Sequence, residues 1–175
     1  ALTSGDSNVA IGHGAGYSVT TGGNNILIGR ATGDAYTALE GTVLIGHFAG
    51  SAINNNNSNY SVMIGYHAGI SVTSGTGNNL IGYYAGRYIS TEGYNTIFGS
   101  EAGQYMNGSS NTFIGYYAGR GGSSSAPYGN GDNNVALGRQ ALQGISSGSD
   151  NIAIGRDALK AVDDGFDNIN NYIIR

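Results

Sequence analysis

The 175-residue chain has no cysteine and a single proline, Pro127. Without thiols it can form no disulfide, no zinc–thiolate centre and no cysteine nucleophile, and its redox compartment leaves no mark on the composition. Basic residues are also scarce. One lysine (Lys160) and six arginines stand against 11 Asp and Glu, for a net charge of −4. No basic patch emerges, so the electrostatic footprint of a nucleic-acid binder is missing. Charged residues make up only 10% of the chain. No apolar run approaches the ~20 residues of a membrane span, and no charged-then-apolar leader opens the sequence. The chain begins at Ala1 rather than methionine, so a processed product or a piece of a longer protein is expected.

What the chain has is glycine, 32 residues of it, among abundant asparagine and serine. That list could describe a disordered segment. Against this, 39% of residues are hydrophobic and they stand at fixed offsets from glycine. Collagen is excluded because glycine does not fall at every third position.

The offsets define a repeat. Aligning on the glycine of "IG" gives nine copies, at Gly12, Gly29, Gly46, Gly65, Gly82, Gly99, Gly115, Gly138 and Gly155, with steps of 17, 17, 19, 17, 17, 16, 23 and 17. The residue before glycine is always large and apolar: Ile11, Ile28, Ile45, Ile64, Ile81, Phe98, Ile114, Leu137, Ile154. Four before glycine stand Asn8, Asn25, Thr42, Ser61, Asn78, Asn95, Asn111, Asn134 and Asn151. Three after it stand Ala15, Thr32, Ala49, Ala68, Ala85, Ala102, Ala118, Ala141 and Ala158, followed by glycine in seven copies and by Leu142 and Leu159 in the last two. A tenth copy begins at "DNINNYIIR" and loses its glycine and alanine.

Each unit reads as a strand of four or five apolar and β-branched residues, a glycine bend, a small-residue corner and a variable stretch. Glycine at this density disfavours helix by about 1 kcal/mol per residue. Units this small cannot bury a face alone and must stack. The expectation is an all-β parallel β-solenoid or β-roll of about nine ~17-residue coils, a rod segment of roughly 40–45 Å at ~4.8 Å per strand. The repeat domain runs over 1–159, and 160–175 forms a divergent cap or junction. Glycine serves the bend, alanine the tight corner, and asparagine bonds the turn backbone and its stacked neighbours.

Both faces of the strand are apolar. Ile11 with Val9, Ile28 with Ile26, Ile45 with Val43, Ile64 with Val62 and Ile154 with Ile152 share one face. Ala10, Leu27, Leu44, Met63, Leu80, Ile97, Phe113, Ala136 and Ala153 share the other. A strand with one wet face should alternate. A 17-residue coil has room inside for one face only, so the other is expected to pack against identical chains around a common axis. A flattened monomer is the alternative.

The phrases "NVAIGHGAG", "NVALGRQAL" and "NIAIGRDAL" resemble the head repeat of YadA-like trimeric autotransporter adhesins, and "NTFIGYYAG" resembles repeats of bacteriophage tail fibres. The resemblance spans about Asn8 to Leu159. It implies a left-handed roll, a homotrimer, surface attachment and an extracellular or virion-surface location. The unit is longer than the adhesin norm, "GYYAG" is not the adhesin form, and no anchor or coiled-coil stalk stands in this sequence, which favours a fibre segment.

The two positions after "IG" form a row. Its members His47, Tyr66, His67, Tyr83, Tyr84, Tyr116 and Tyr117 either make an aromatic track for the sugar rings of a receptor or pack between coils. His13, His47 and His67 are the only histidines. They do not converge as a metal needs, so neither a metal nor any cofactor is expected. Asp163, Asp164 and Asp167 cluster near the end, and "GNGDNN" (Gly129–Asn134) occurs once where calcium repeats come in tandem. Asn56, Asn59 and Asn107 stand in glycosylation sequons. The insertions "SAINNNNSNY" (Ser51–Tyr60) and "RGGSSSAPYGNGDNN" (Arg120–Asn134) could form a binding face or be idle. Glu40, Glu92, Glu101 and Asp34 sit at unmatched offsets, giving no glycosidase carboxylate pair. A non-enzymatic fibre or adhesin rod is therefore expected, binding itself, with a glycan or protein receptor as further partner. An end-to-end filament is the alternative, and a β-helical polysaccharide-degrading enzyme the remote one.

Overall fold

A computed structural model describes residues 5–35, 37–54, 60–122, 129–161 and the backbone of 172–174. Ten three-residue strands follow one another: β1 Val9–Ile11, β2 Ile26–Ile28, β3 Val43–Ile45, β4 Val62–Ile64, β5 Asn79–Ile81, β6 Thr96–Phe98, β7 Thr112–Ile114, β8 Val135–Leu137, β9 Ile152–Ile154 and β10 Tyr172–Ile174. They form one parallel sheet in chain order. Each strand pairs in register with the next, Leu27 against Leu44 and Leu44 against Met63, for example. The chain is an all-β parallel solenoid of about eight turns from β1 to β9, one strand per turn, with no helix among the described residues. A turn is named below by its strand.

The strands are shorter than the apolar runs suggested because the backbone is bent at both ends. Five residues before the "IG" glycine, Ser7, Asn24, Tyr60, Tyr94, Ser110, Asn133 and Asp150 take a left-handed φ of 59, 59, 60, 61, 59, 57 and 59°. At the other end the "IG" glycines take φ of +118 to +147°, a region open in practice only to glycine. The same glycines allow close stacking: a Cβ on Gly82 would overlap the carbonyl of Gly99 in the next turn.

Pairing continues beyond the strands. Gly82 N donates to Ile64 O at 2.7 Å, Tyr84 N to Tyr66 O at 3.0 Å and Gly86 N to Ala102 O at 3.0 Å. The bends are thus hydrogen-bonded from turn to turn like the sheet itself, which satisfies backbone groups that a buried loop would orphan.

Asparagine makes a second stack. Asn25 Nδ2 donates to Asn8 Oδ1 at 2.9 Å, and Asn95 and Asn151 repeat the contact to Asn78 and Asn134 at 3.1 and 2.9 Å. Most asparagines of the stack also reach into the next turn, as Asn78 Nδ2 does to Glu92 O at 2.9 Å and Asn134 Nδ2 to Gly148 O at 2.9 Å. Thr42 and Ser61 hold the place in the β3 and β4 turns, where Ser61 Oγ accepts from Asn78 N at 3.2 Å. The side chains are buried yet fully used, the condition for burying amides without penalty.

The interior is filled by the central strand residue, the corner alanine and one further apolar residue seven after the glycine: Val19, Ile53, Val72, Ile89, Met106 and Ile145, all buried. In the β2 turn Leu39 fills this space.

Volume is balanced within each turn from β2 to β9, while the β1 turn has Ala10 at its centre and Gly16 at its corner. Turns with a large central residue (Leu27, Leu44, Met63, Leu80, Ile97, Phe113) carry glycine four after the bend, and a Cβ there would collide with that residue, as at Gly86 against Leu80 Cδ2 at 2.9 Å. The β8 and β9 turns have only Ala136 and Ala153 at the centre, and carry Leu142 and Leu159 at the corner instead. These leucines keep the left-handed backbone of the glycines they replace, φ 49 and 48°. Filling the core outweighs a strain of ~1–2 kcal/mol.

The remaining strand face points away from the interior. Ile11, Phe98 and Leu137 are exposed on it, and Ile28, Ile45, Ile64, Ile81, Ile114 and Ile154 are half-buried. The row two residues earlier is apolar in β1 to β4, β8 and β9, but polar in the middle, at Asn79, Thr96 and Thr112. β10 joins the sheet against β9, and Asp163, Asp164, Asp167, Asn56 and Asn59 lie outside the described residues.

Candidate functional site

The row after the bend is an aromatic ladder. Because the turns stack in register, residues one and two after each glycine fall one above another. His47 lies 5.2 Å from Tyr66, Tyr66 stacks on Tyr83 at 5.6 Å and 17°, and His67 meets Tyr84 at 5.5 Å. Within a turn Tyr66 stacks on His67 at 4.0 Å and Tyr116 on Tyr117 at 4.0 Å. The first aromatic of each pair is the outer one: Tyr66, Tyr83 and Tyr116 are exposed, while His67, Tyr84 and Tyr117 are half-buried behind them. Packing between turns and an exposed aromatic track are therefore the same object seen from two sides. His13 stands exposed at the N-terminal end of the row.

Arginines clamp the inner rings. Arg87 Cζ sits 4.3 Å from the Tyr84 centroid and 4.9 Å from that of Tyr88. Arg120 Cζ sits 4.7 Å from Tyr117 and 4.8 Å from Tyr105, and Tyr88 stacks on Tyr105 at 5.4 Å. Arg30 caps the ladder's beginning, its Nη1 3.1 Å from His47 Nε2. Such cation–π contacts contribute ~0.5–2 kcal/mol each. Arg87, Tyr88, Tyr105 and Arg120 were not singled out from the sequence. The signal for the arginines was present, because the phrase "GYYAGR" ends on them.

The ladder skips one turn. In the β6 turn its two places are taken by Ser100 and Glu101. Glu101 turns toward the next turn: Oε2 lies 3.5 Å from Arg120 Nε, and Oε1 accepts from the Tyr117 hydroxyl at 3.4 Å. Gln104 Oε1 accepts from Arg120 Nε at 3.2 Å.

The electrostatics follow from this crowding. The Tyr117 phenol is pushed up to about 12 by its hydrogen bond with Tyr116, by burial and by the charge of Glu101. The Tyr83 phenol is raised by the bond with Tyr84 first, with Glu101 contributing. His67 is lowered by burial, then by the charges of Arg87 and His47. Its two ring nitrogens are buried and have no hydrogen-bond partner among the described residues.

Other sequence candidates do not assemble into a site. Among the described residues no group of three His, Asp or Glu side chains could hold a metal ion. Glu40 holds the turn backbone at Gly23 N, 2.9 Å, and Asn24 Nδ2, 2.9 Å, which lowers its carboxyl. Asp34 is raised by burial. Glu92 accepts from Ser90 N and Thr91 N at 3.0 and 2.8 Å. Asn107 Oδ1 accepts from Ser90 N at 2.9 Å, and Asp132 Oδ1 from Ser109 N at 2.7 Å. These acids act as backbone clips. Of the two insertions, 55–59 and 123–128 lie outside the described residues.

No protein-family model, no curated protein and no solved structure matches the chain.

Proposed function

We propose that this chain is a non-enzymatic structural and adhesive fibre segment, three copies of which pack side by side into a rod at a cell or virion surface. The carrying observation is the second apolar face. A row of nine large apolar residues, Ile11 to Ile154, runs the length of one chain on the side away from its own core. Each fully uncovered Ile or Phe forgoes ~1.5–3 kcal/mol of burial. A continuous row of this kind is covered most simply by sister chains under cyclic symmetry, since every copy offers the same row at the same height.

Sedimentation or light scattering tests this directly. A mass of three chains is expected, with Ile45→Lys plus Ile64→Lys giving a folded monomer. A wild-type mass of one chain removes the rod.

End-to-end assembly has its own support. The outer edge of β1 is unpaired among the described residues. Beside it Asn8, Ala10, Gly16, Val19 and Leu27 line a hollow of about 10 Å³. An open edge invites another strand. Threads in electron micrographs, lost on Ala10→Lys, would establish that reading.

A further inference from the structure

The skipped rung of the ladder is itself a recess. Ser100 holds the place that Tyr83 holds one turn before and Tyr116 one turn after. Those two tyrosines are thus two strand spacings apart, ~9.6 Å. The neighbouring rungs show what fits such a space, because successive rings here stand 5.6 Å apart. One ring-thick guest restores the stack.

Tyr83 and Tyr116 are 46 and 44% exposed. Behind them Glu101 stands in the turn between the two tyrosine pairs, its Oε1 accepting from the Tyr117 hydroxyl at 3.4 Å and its Oε2 3.5 Å from Arg120 Nε. The strand face beside the recess is polar, with Asn79 and Thr96 exposed. The apolar row that suits sister chains is therefore narrowest here.

We propose that the gap at Ser100 is a binding slot for one neutral hexopyranose unit of a glycan, stacked between Tyr83 and Tyr116 with its hydroxyls toward Glu101 and Ser100. A pyranose has C–H faces that suit aromatic walls and a rim of hydroxyls that suits a carboxylate. A purely aromatic guest would make no use of the Ser100 hydroxyl or of the remaining acceptor capacity of the Glu101 carboxylate. An anionic sugar would meet Glu101 and a net charge of −4. The slot deepens the adhesive part of the fibre reading and needs no assembly of its own.

Saturation-transfer NMR on the full chain tests it, with methyl β-glucopyranoside, methyl β-galactopyranoside, methyl α-mannopyranoside and methyl β-glucuronide as probes. At least one neutral glycoside should bind, and the glucuronide at least fivefold more weakly. Ser100→Tyr, which refills the rung, and Tyr116→Ala, which removes a wall, should each weaken binding tenfold or more. Tyr17→Ala, an exposed tyrosine elsewhere, should leave it unchanged. Silence from all three neutral glycosides, wild-type binding by Ser100→Tyr, or preference for the glucuronide overturns the slot. Mass measured on the same samples separates the two ideas. A trimer that binds no glycoside removes the slot and keeps the rod, and a monomer that binds one does the reverse.

Discussion

Converting the β7 turn to the pattern of β8 tests how the interior is filled. Phe113 is the largest fully buried side chain among the described residues, and Gly119 at its turn's corner has φ +53°. Phe113→Ala should cost ~3–5 kcal/mol through lost burial and the cavity left behind. Gly119→Leu should cost ~2–5 kcal/mol, from left-handed strain and from overpacking. The collision is direct, since a Cβ on Gly119 would lie 2.5 Å from Phe113 Cδ1. Independent effects would sum to ~5–10 kcal/mol. In the double variant the leucine occupies the emptied space, as Leu142 does beside Ala136. Only the strain and a residual void remain, ~2–4 kcal/mol. The coupling should therefore be at least about 1 kcal/mol, toward the upper end of the ~0.5–3 kcal/mol of residues in contact. Urea unfolding followed by circular dichroism at one fixed chain concentration measures it. A double variant that loses the full sum would refute the reasoning, since the corner and the strand centre would then not share a volume.

Gly82→Ala should cost about 3 kcal/mol or more, because φ is +140° and the new methyl overlaps the next turn. Gly14→Ala, at φ +72° and with a Cβ that would meet nothing nearer than 3.9 Å, should cost only ~1–2 kcal/mol of backbone strain, so the difference in melting temperature reports the clash together with the less accessible backbone of Gly82. Asn95→Ala removes an acceptor for Asn111 N and a donor to Gly108 O and should cost ~2–5 kcal/mol in the same denaturation assay. His67 is held neutral by its surroundings, with a folded pKa below 6.5. The unfolded chain takes up the proton first, so stability should fall as pH drops below about 6.5 toward the folded value and be level above it. His67→Phe should flatten that slope in melting curves taken between pH 5 and 8.

Register, strand position and the division of each strand into two faces were legible because they follow from one count, the offset from glycine. That Leu80 and Ile81 point to opposite sides is a period-two statement that needs no tertiary knowledge, whereas which side is the interior is decided by packing. The length of each strand was not legible, since an apolar run does not reveal that Tyr94 or Ser110 will adopt a left-handed backbone. The third core position was overlooked although Val19, Ile53, Val72, Ile89, Met106 and Ile145 repeat at one offset. It stands in the polar-looking part of the unit, and in the β2 turn it is displaced to Leu39. The exchange of Gly119 for Leu142 was visible as letters, but its cause lies between residues 6 apart in sequence that meet only across the interior. For the aromatic row, the line itself could be read from spacing. Which ring is outer, where arginine clamps it and what the missing rung exposes depend on side-chain packing.

Because bends, strands and asparagines all bond from one turn to the next, steps of 16, 19 and 23 residues are absorbed beside steps of 17 without disturbing the sheet. Reach along the axis is then counted in turns and is indifferent to residue number. The molecule is graduated like a ruler, with marks ~4.8 Å apart. Excising residues 66–82 should bring Gly65 onto Tyr83 with every ladder intact and the tip drawn in by a single mark.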